Sequence, residues 1–144
     1  MRLVTYNCMS MQKHGRYRDI CKAFVSAELF TLTGTRDRQQ ADQTACTRER
    51  IARHHVYSFP TAGRAARHSN RVCGVAIGVR HEIYASTRIH KLFIPERDLQ
   101  GRLGGVWMRD RSRDLAVFAV HMPINNGDAA QLKTAHAVIK RLKK

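Results

Sequence analysis

Leu29-Phe30-Thr31-Leu32-Thr33-Gly34-Thr35-Arg36 reads as a strand that ends at a glycine, and the segments on either side of it decide the fold. Upstream, Arg2-Leu3-Val4-Thr5-Tyr6-Asn7 reads as a first strand that stops on an asparagine. Between the two strands, Tyr17, Ile20, Cys21, Phe24 and Ala27 fall at helical spacing, with Gly15 near the start of that helix. Far downstream, Val120-His121-Met122-Pro123-Ile124-Asn125 closes an apolar run that begins at Leu115. The chain therefore opens as strand, helix, strand.

The remainder of the chain is mostly strand. Residues 37 to 52 are polar and charged with no clear period, and Val56-Tyr57-Ser58-Phe59 suggests a short strand ended by Pro60. Thr61 to Arg71 reads as a basic loop. Val72 to Val79 is nearly all apolar, with glycines at 74 and 78, which fits a strand buried on both faces. Ile83 to Ile94 and Gly101 to Arg109 make an antiparallel pair around Pro95-Glu96-Arg97-Asp98, and Arg109 to Arg113 reads as a solvated hairpin tip. The tail reads as a helix capped by Asp128, with Leu132, Ala135, Ile139 and Leu142 on one face. Lys140, Arg141, Lys143 and Lys144 stand at its negative dipole end, where cations are favoured. This order is that of one half of a β-sandwich flanked by helices. With no repeat and no linker, residues 1–144 read as a single domain.

Charge is the strong global signal. Lysine and arginine total 26 against 11 acidic residues, for a formal net charge of +15. Self-repulsion at that charge opposes a compact state unless an anionic partner offsets it, and nucleic acid is the commonest such partner. The alternative is a lineage with arginine-rich codon usage whose arginines decorate a solvated surface. Cys8, Cys21, Cys46 and Cys73 are widely spaced, with no Cys-x-x-Cys pair, and read as reduced thiols. No apolar stretch approaches a membrane span, and polar residues appear by Thr5, too early for a signal peptide. The expected location is intracellular, nuclear or cytoplasmic.

In order and spacing, the opening strands and the late Val120 segment resemble the endonuclease/exonuclease/phosphatase family, particularly its retroelement-type endonucleases. There the first strand ends in a metal-site Asn, the second carries Leu-Gln-Glu-Thr, and a later strand ends Val-Tyr-Ala-Pro-x-Asn. Here Asn7, Thr35, Pro123 and Asn125 fall in that order, Gly34 takes the Glu slot and His121 the Tyr slot. The resemblance implies an α/β fold of α+β make-up, a partial four-layer α/β/β/α sandwich of the DNase I-like type. Much of the second half is missing from that picture, because the later Gly-Asp-x-Asn and Ser-Asp-His motifs do not occur. Asn125-Asn126-Gly127-Asp128 comes too early and reads as a turn and cap.

The resemblance also implies phosphodiester hydrolysis on DNA assisted by Mg²⁺. Mg²⁺ takes oxygen ligands, normally one or two carboxylates with waters completing an octahedron. Asn7 offers a neutral amide oxygen, while Gly34 offers no side chain where the carboxylate belongs; Asp37 would have to reach back from a loop. Asn7 is equally an ordinary strand-end turn former. His121 either donates a hydrogen bond to a phosphate in the catalytic Tyr slot or is a satisfied core histidine. No histidine pair has zinc-ligand spacing, and serine-nucleophile and phosphate-loop motifs are absent.

Family members place substrate-contacting loops where Arg64 to Arg71 falls, so Arg64, Arg67, Asn70 and Arg71 are the expected phosphate contacts, to DNA more than to RNA. Two readings compete. One is a remnant or fragment of a Mg²⁺-dependent endonuclease, inactive as it stands. The other is a non-catalytic basic nucleic-acid-binding module or a non-functional pseudogene product. A half-sandwich also predicts an uncovered inner sheet face, from alternate residues of Val72 to Val79 and Leu115 to His121, and self-association through it.

Overall fold

The computed structural model describes residues 1–9, 11, 15–36, 45–61, 74–82, 88–96, 99–109, 111, 114–122, 136, 137 and 140. β1 (Leu3–Asn7) and β2 (Leu29–Thr33) pair in parallel, from Leu3 opposite Leu29 to Asn7 opposite Thr33. Parallel neighbours need a crossover, and α1 (Arg16–Ala23) provides it after Gly15 turns the chain at φ 80°. β3 (Thr47–Ile51), β4 (His54–Phe59) and β5 (Val75–Arg80) complete a five-stranded sheet in the order β1-β2-β5-β4-β3, with β5 antiparallel to both its neighbours. β6 (Ile89–Phe93), β7 (Leu103–Arg109) and β8 (Asp114–Val120) form a separate antiparallel meander.

The continuous apolar run of β5 is explained by cover on both faces. Val75, Ile77 and Val79 point into a core shared with Val106, Met108, Val117 and Ala119 of the second sheet. Ala76 points the other way, into the layer where Ile20 and Cys21 of α1 meet Phe30, Leu32 and Val56. Outside the second sheet, Ala137, in a helical stretch, packs near Leu103, Phe118 and Val120. The described layers are thus helix, five-stranded sheet and three-stranded sheet, an α+β sandwich with α1 on the outer face of the first sheet.

Two expectations are corrected. The inner face of β5 and β8 is not open: the same chain lays its own three-stranded sheet over it, and Val75, Ile77 and Val79 are fully buried. Self-association through that face therefore has no surface to use. The second correction is β3, which lies inside the stretch that showed no period. As the outermost strand it exposes Arg48, Glu49 and Arg50 in succession, so no alternation marks it. Most of the expected tail helix lies outside the described residues, as does Cys73.

Burial leaves three histidines short of a proton. His54 is fully buried, packs on Phe30 at 5.0 Å between ring centroids, and lies 3.0 Å from the Ala27 carbonyl through Nε2. Desolvation pushes its pKa below 6.5, and burial also lowers those of His55 and His121. As pH falls through 6.5 the unfolded chain takes up these protons first, so stability is whole above that pH and is lost below it. Each site lowers stability by up to about 1.4 kcal/mol per pH unit while only its unfolded form is protonated. The melting temperature accordingly drops between about pH 7.5 and about pH 5.5, and His54→Gln, which keeps a donor for Ala27, flattens the curve. A melting temperature indifferent to pH across that window would refute the assignment of neutral buried histidines.

Candidate active site

The carboxyl ends of β1 and β2 finish side by side, which brings Asn7 next to the glycine that follows Thr33. Backbone hydrogen bonds then fasten three segments together. The Cys8 amide donates to the Thr33 carbonyl at 3.0 Å, the Met11 amide to the Thr35 carbonyl at 2.7 Å, and the Thr35 amide to the Gly74 carbonyl at 3.1 Å. The Cys8 thiol also reaches the Thr33 carbonyl at 3.1 Å, and Arg16 Nη2 donates to the Cys8 carbonyl at 3.1 Å. Thr35 is fully buried within this junction.

Gly34 has φ +68°, in the left-handed region. A Cβ built there would stand 2.8 Å from Asn7 Oδ1 and 3.6 Å from the Met9 amide nitrogen. Asn7 Oδ1 itself accepts the Met9 amide at 3.2 Å, two residues on, in an Asx turn that carries Met9 to φ 58°. The amide oxygen expected to hold a metal is therefore engaged with its own backbone. The space for a side chain at position 34 is filled by that same oxygen.

This donor set does not fit Mg²⁺. The ion needs carboxylate charge, position 34 supplies none, and among the described residues no three His, Cys, Asp or Glu side chains gather to hold a metal. Asp37 lies outside the described residues.

His121 follows β8, and its amide donates to the Arg102 carbonyl at 2.7 Å. Its ring is half-buried; burial first, and then the Arg102 cation, hold its pKa below 6.5. Packing places it at the same end of the sandwich as Asn7. Gly104 of β7 lies against the Phe59 ring and Gly101 against Thr61, while Phe59 pairs with Val75, and Val75 with Thr33. Leu103 and Val120, next to Arg102 and His121, pair at that end.

Thr61 and Arg102 join this end without any signal in the sequence. Thr61 Oγ1 and Arg102 Nη1 are both buried with no hydrogen-bond partner among the described residues. The contact that assembles them, Gly101 against Thr61, spans the two sheets, and no motif spacing records it. Arg64, Arg67, Asn70 and Arg71, the expected phosphate contacts, lie outside the described residues. The hairpin tip is where it was expected, with Arg109 and Arg111 exposed.

No protein-family model and no curated protein matches the chain. Among solved structures, the crystal structure of the AP endonuclease LMAP from Leishmania major superposes with a TM-score of 0.67 at 13% sequence identity. The match covers 97% of this chain and 47% of that one, so the chain spans about half the length of its structural neighbour. At that identity the likeness is one of fold: this is a DNase I-like α+β sandwich.

Proposed function

We propose that the chain is part of a DNA endonuclease of the retroelement type, a Mg²⁺-dependent phosphodiesterase by ancestry, that holds nucleic acid without cutting it. The observation that carries this reading is Gly34, with its left-handed backbone and with Asn7 Oδ1 standing where a side chain would begin. A nuclease-like fold supports the ancestry, and a net charge of +15 supports retention of the polyanion. Loss of a metal-binding carboxylate removes both the ion and the charge stabilisation it would give a departing phosphate oxygen. Neutral His121 and Arg102, whose Nη1 is buried, remain at that end as groups suited to a phosphate, one as hydrogen-bond partner and one as cation.

Purified protein incubated with supercoiled plasmid and excess Mg²⁺ leaves the plasmid closed, while retarding it in a gel at low salt. If binding engages about six phosphates, affinity falls on the order of a thousandfold between about 50 and about 200 mM salt. Nicking that requires Mg²⁺ and stops with EDTA would overturn the loss of catalysis. A salt-independent or undetectable interaction would overturn the binding.

A further inference from the structure

Arg48 and Arg50 stand two residues apart on β3, so both side chains leave the same face of the strand. Their cross-strand partners identify that face. Arg48 lies opposite Tyr57 and Arg50 opposite His55, and Tyr57 belongs to the core between the sheets. β3 is the outermost strand, so the two arginines stand exposed at the flank of the sandwich, with the Arg48 side chain hydrogen-bonded to that of Tyr57. This flank lies along a sheet edge, whereas Asn7 and Gly34 lie at the strand ends.

Behind the arginines is a histidine pair. His55 Nε2 and His81 Nδ1 are 2.7 Å apart, with ring centroids at 4.9 Å, and the His81 amide donates to the Arg53 carbonyl at 2.7 Å. The hydrogen bond between the two imidazoles holds one proton; a second, taken up at the outer nitrogen of the donor ring, makes one imidazolium beside the other ring. The charges around the pair set how costly that second proton is. Arg48 and Arg50 face it from β3, and Arg53 and Arg80 stand next in sequence to the paired residues, at the β3–β4 turn and the end of β5. Among the described residues, Glu82 is the carboxylate beside them, bound to Arg53 at 2.8 Å and Arg80 at 3.8 Å. Burial, then His81, Arg48 and Arg50, lower the pKa of His55.

We infer that Arg48 and Arg50, backed by the His55–His81 pair, form a second binding strip for the phosphodiester backbone of a single nucleic-acid strand, and that binding there takes up a proton. The inference rests on the nucleic-acid reading above and adds the place and the proton. Residues two apart on a strand are about 6.7 Å apart, which matches successive phosphates on an extended nucleic-acid strand. Phosphates seated on the arginines cancel the cations that oppose the second proton, so binding and protonation favour each other. Positive potential also continues round the edge. Arg50 reaches the rim of a groove of about 700 Å³ beside α1, where Arg16, Arg18 and Lys22 outnumber Asp19 and Glu49.

Charged residues on an outer strand also keep other strands from adding to the sheet, but charge of either sign serves that purpose. The substitution Arg48→Glu with Arg50→Glu therefore keeps the edge guarded while reversing the strip.

The test is fluorescence anisotropy with a labelled oligothymidylate at fixed low ionic strength, at about pH 6 and about pH 8, with folding checked by circular dichroism at each pH. Wild type binds tighter at the lower pH by up to about tenfold, the factor for a one-unit displacement of His55 protonation. His81→Asn, which keeps a partner for His55, binds as wild type at about pH 8 and loses the gain on acidification. Arg48→Gln with Arg50→Gln weakens binding at both pH values and lowers the logarithmic salt slope by about 1.4, two contacts to a single strand. Arg50→Gln alone, an exposed change, gives about half of that loss of slope. If wild type fails to bind at low salt, this inference and the nucleic-acid reading fall together. If the double Gln variant keeps the wild-type affinity and salt slope, or His81→Asn keeps the acid gain, the strip is refuted while the nucleic-acid reading stands.

Discussion

Gly34→Glu, which supplies the carboxylate expected of a metal-dependent nuclease, lowers stability by about 2–3 kcal/mol and still leaves plasmid DNA uncut. Two costs make up that figure. A residue with a Cβ held at φ +68° costs about 1–2 kcal/mol in the left-handed region. The new Cβ also meets Asn7 Oδ1 at 2.8 Å, so the Asx turn must open and give up a hydrogen bond of about 1 kcal/mol. The new Cβ stands where Asn7 Oδ1 already lies, so a restored carboxylate displaces that amide oxygen instead of joining it as a co-ligand. Urea unfolding and the Mg²⁺-dependent plasmid assay measure the two effects separately. Gly34→Ala carries the same backbone and Cβ costs without charge; equal destabilisation in both variants assigns the loss to geometry. Mg²⁺-dependent nicking by Gly34→Glu would show instead that the backbone relaxes back into the strand and that one substitution separates this site from activity.

The sequence made legible those elements whose burial leaves a pattern. β5 shows a continuous apolar run because both its faces are covered, and α1 shows a helical period because one of its faces is buried. The adjacency of Asn7 and Gly34 follows from the strand-helix-strand opening alone, since a parallel pair must finish at the same end. β3 escaped because an outer strand whose charges all face water carries no alternation. The second sheet's position over β5 escaped because strand patterns report that a face is buried and not what buries it. For the same reason His121 was legible as a candidate, whereas its company, Thr61 and Arg102, was not: they meet through packing of Gly101 and Gly104 across the sandwich. Gly34 was legible as a missing carboxylate. Its left-handed backbone lies between the Cys8–Thr33 and Thr35–Gly74 hydrogen bonds, which no motif encodes.

The largest losses of stability are expected one strand away, where Gly78 meets Phe30. A Cβ there overlaps Cζ, Cε1 and Cε2 of Phe30, whose ring lies flat over the glycine on the helix side of the sheet. Phe30 has nowhere to retreat: it is fully buried, with Phe24 at 5.8 Å and His54 at 5.0 Å between ring centroids. Overpacking a tight core site costs about 1–3 kcal/mol, and Gly78→Ala falls at the upper end because three ring atoms are hit at once. Phe30→Ala, made alone, costs about 3–5 kcal/mol through the cavity it leaves. Against a total of about 5–15 kcal/mol, either change is enough to populate the unfolded chain.

The two sites are coupled through one ring, so their effects cannot add. Gly78→Ala combined with Phe30→Leu gives the methyl group room and keeps part of the buried apolar volume. That double variant is expected to be more stable than the sum of the single losses predicts, by about 1–2 kcal/mol. Urea unfolding of the four proteins in the cycle decides it. Strict additivity would mean that the sheet backbone, and not the Phe30 ring, absorbs the intrusion. In that case β2 and β5 separate where they pair, Phe30 opposite Gly78, and the distortion runs along β2 toward Gly34. Oligonucleotide binding by Gly78→Ala under folding conditions then distinguishes the outcomes, because a yielding ring leaves the strand ends in place and a yielding backbone moves them.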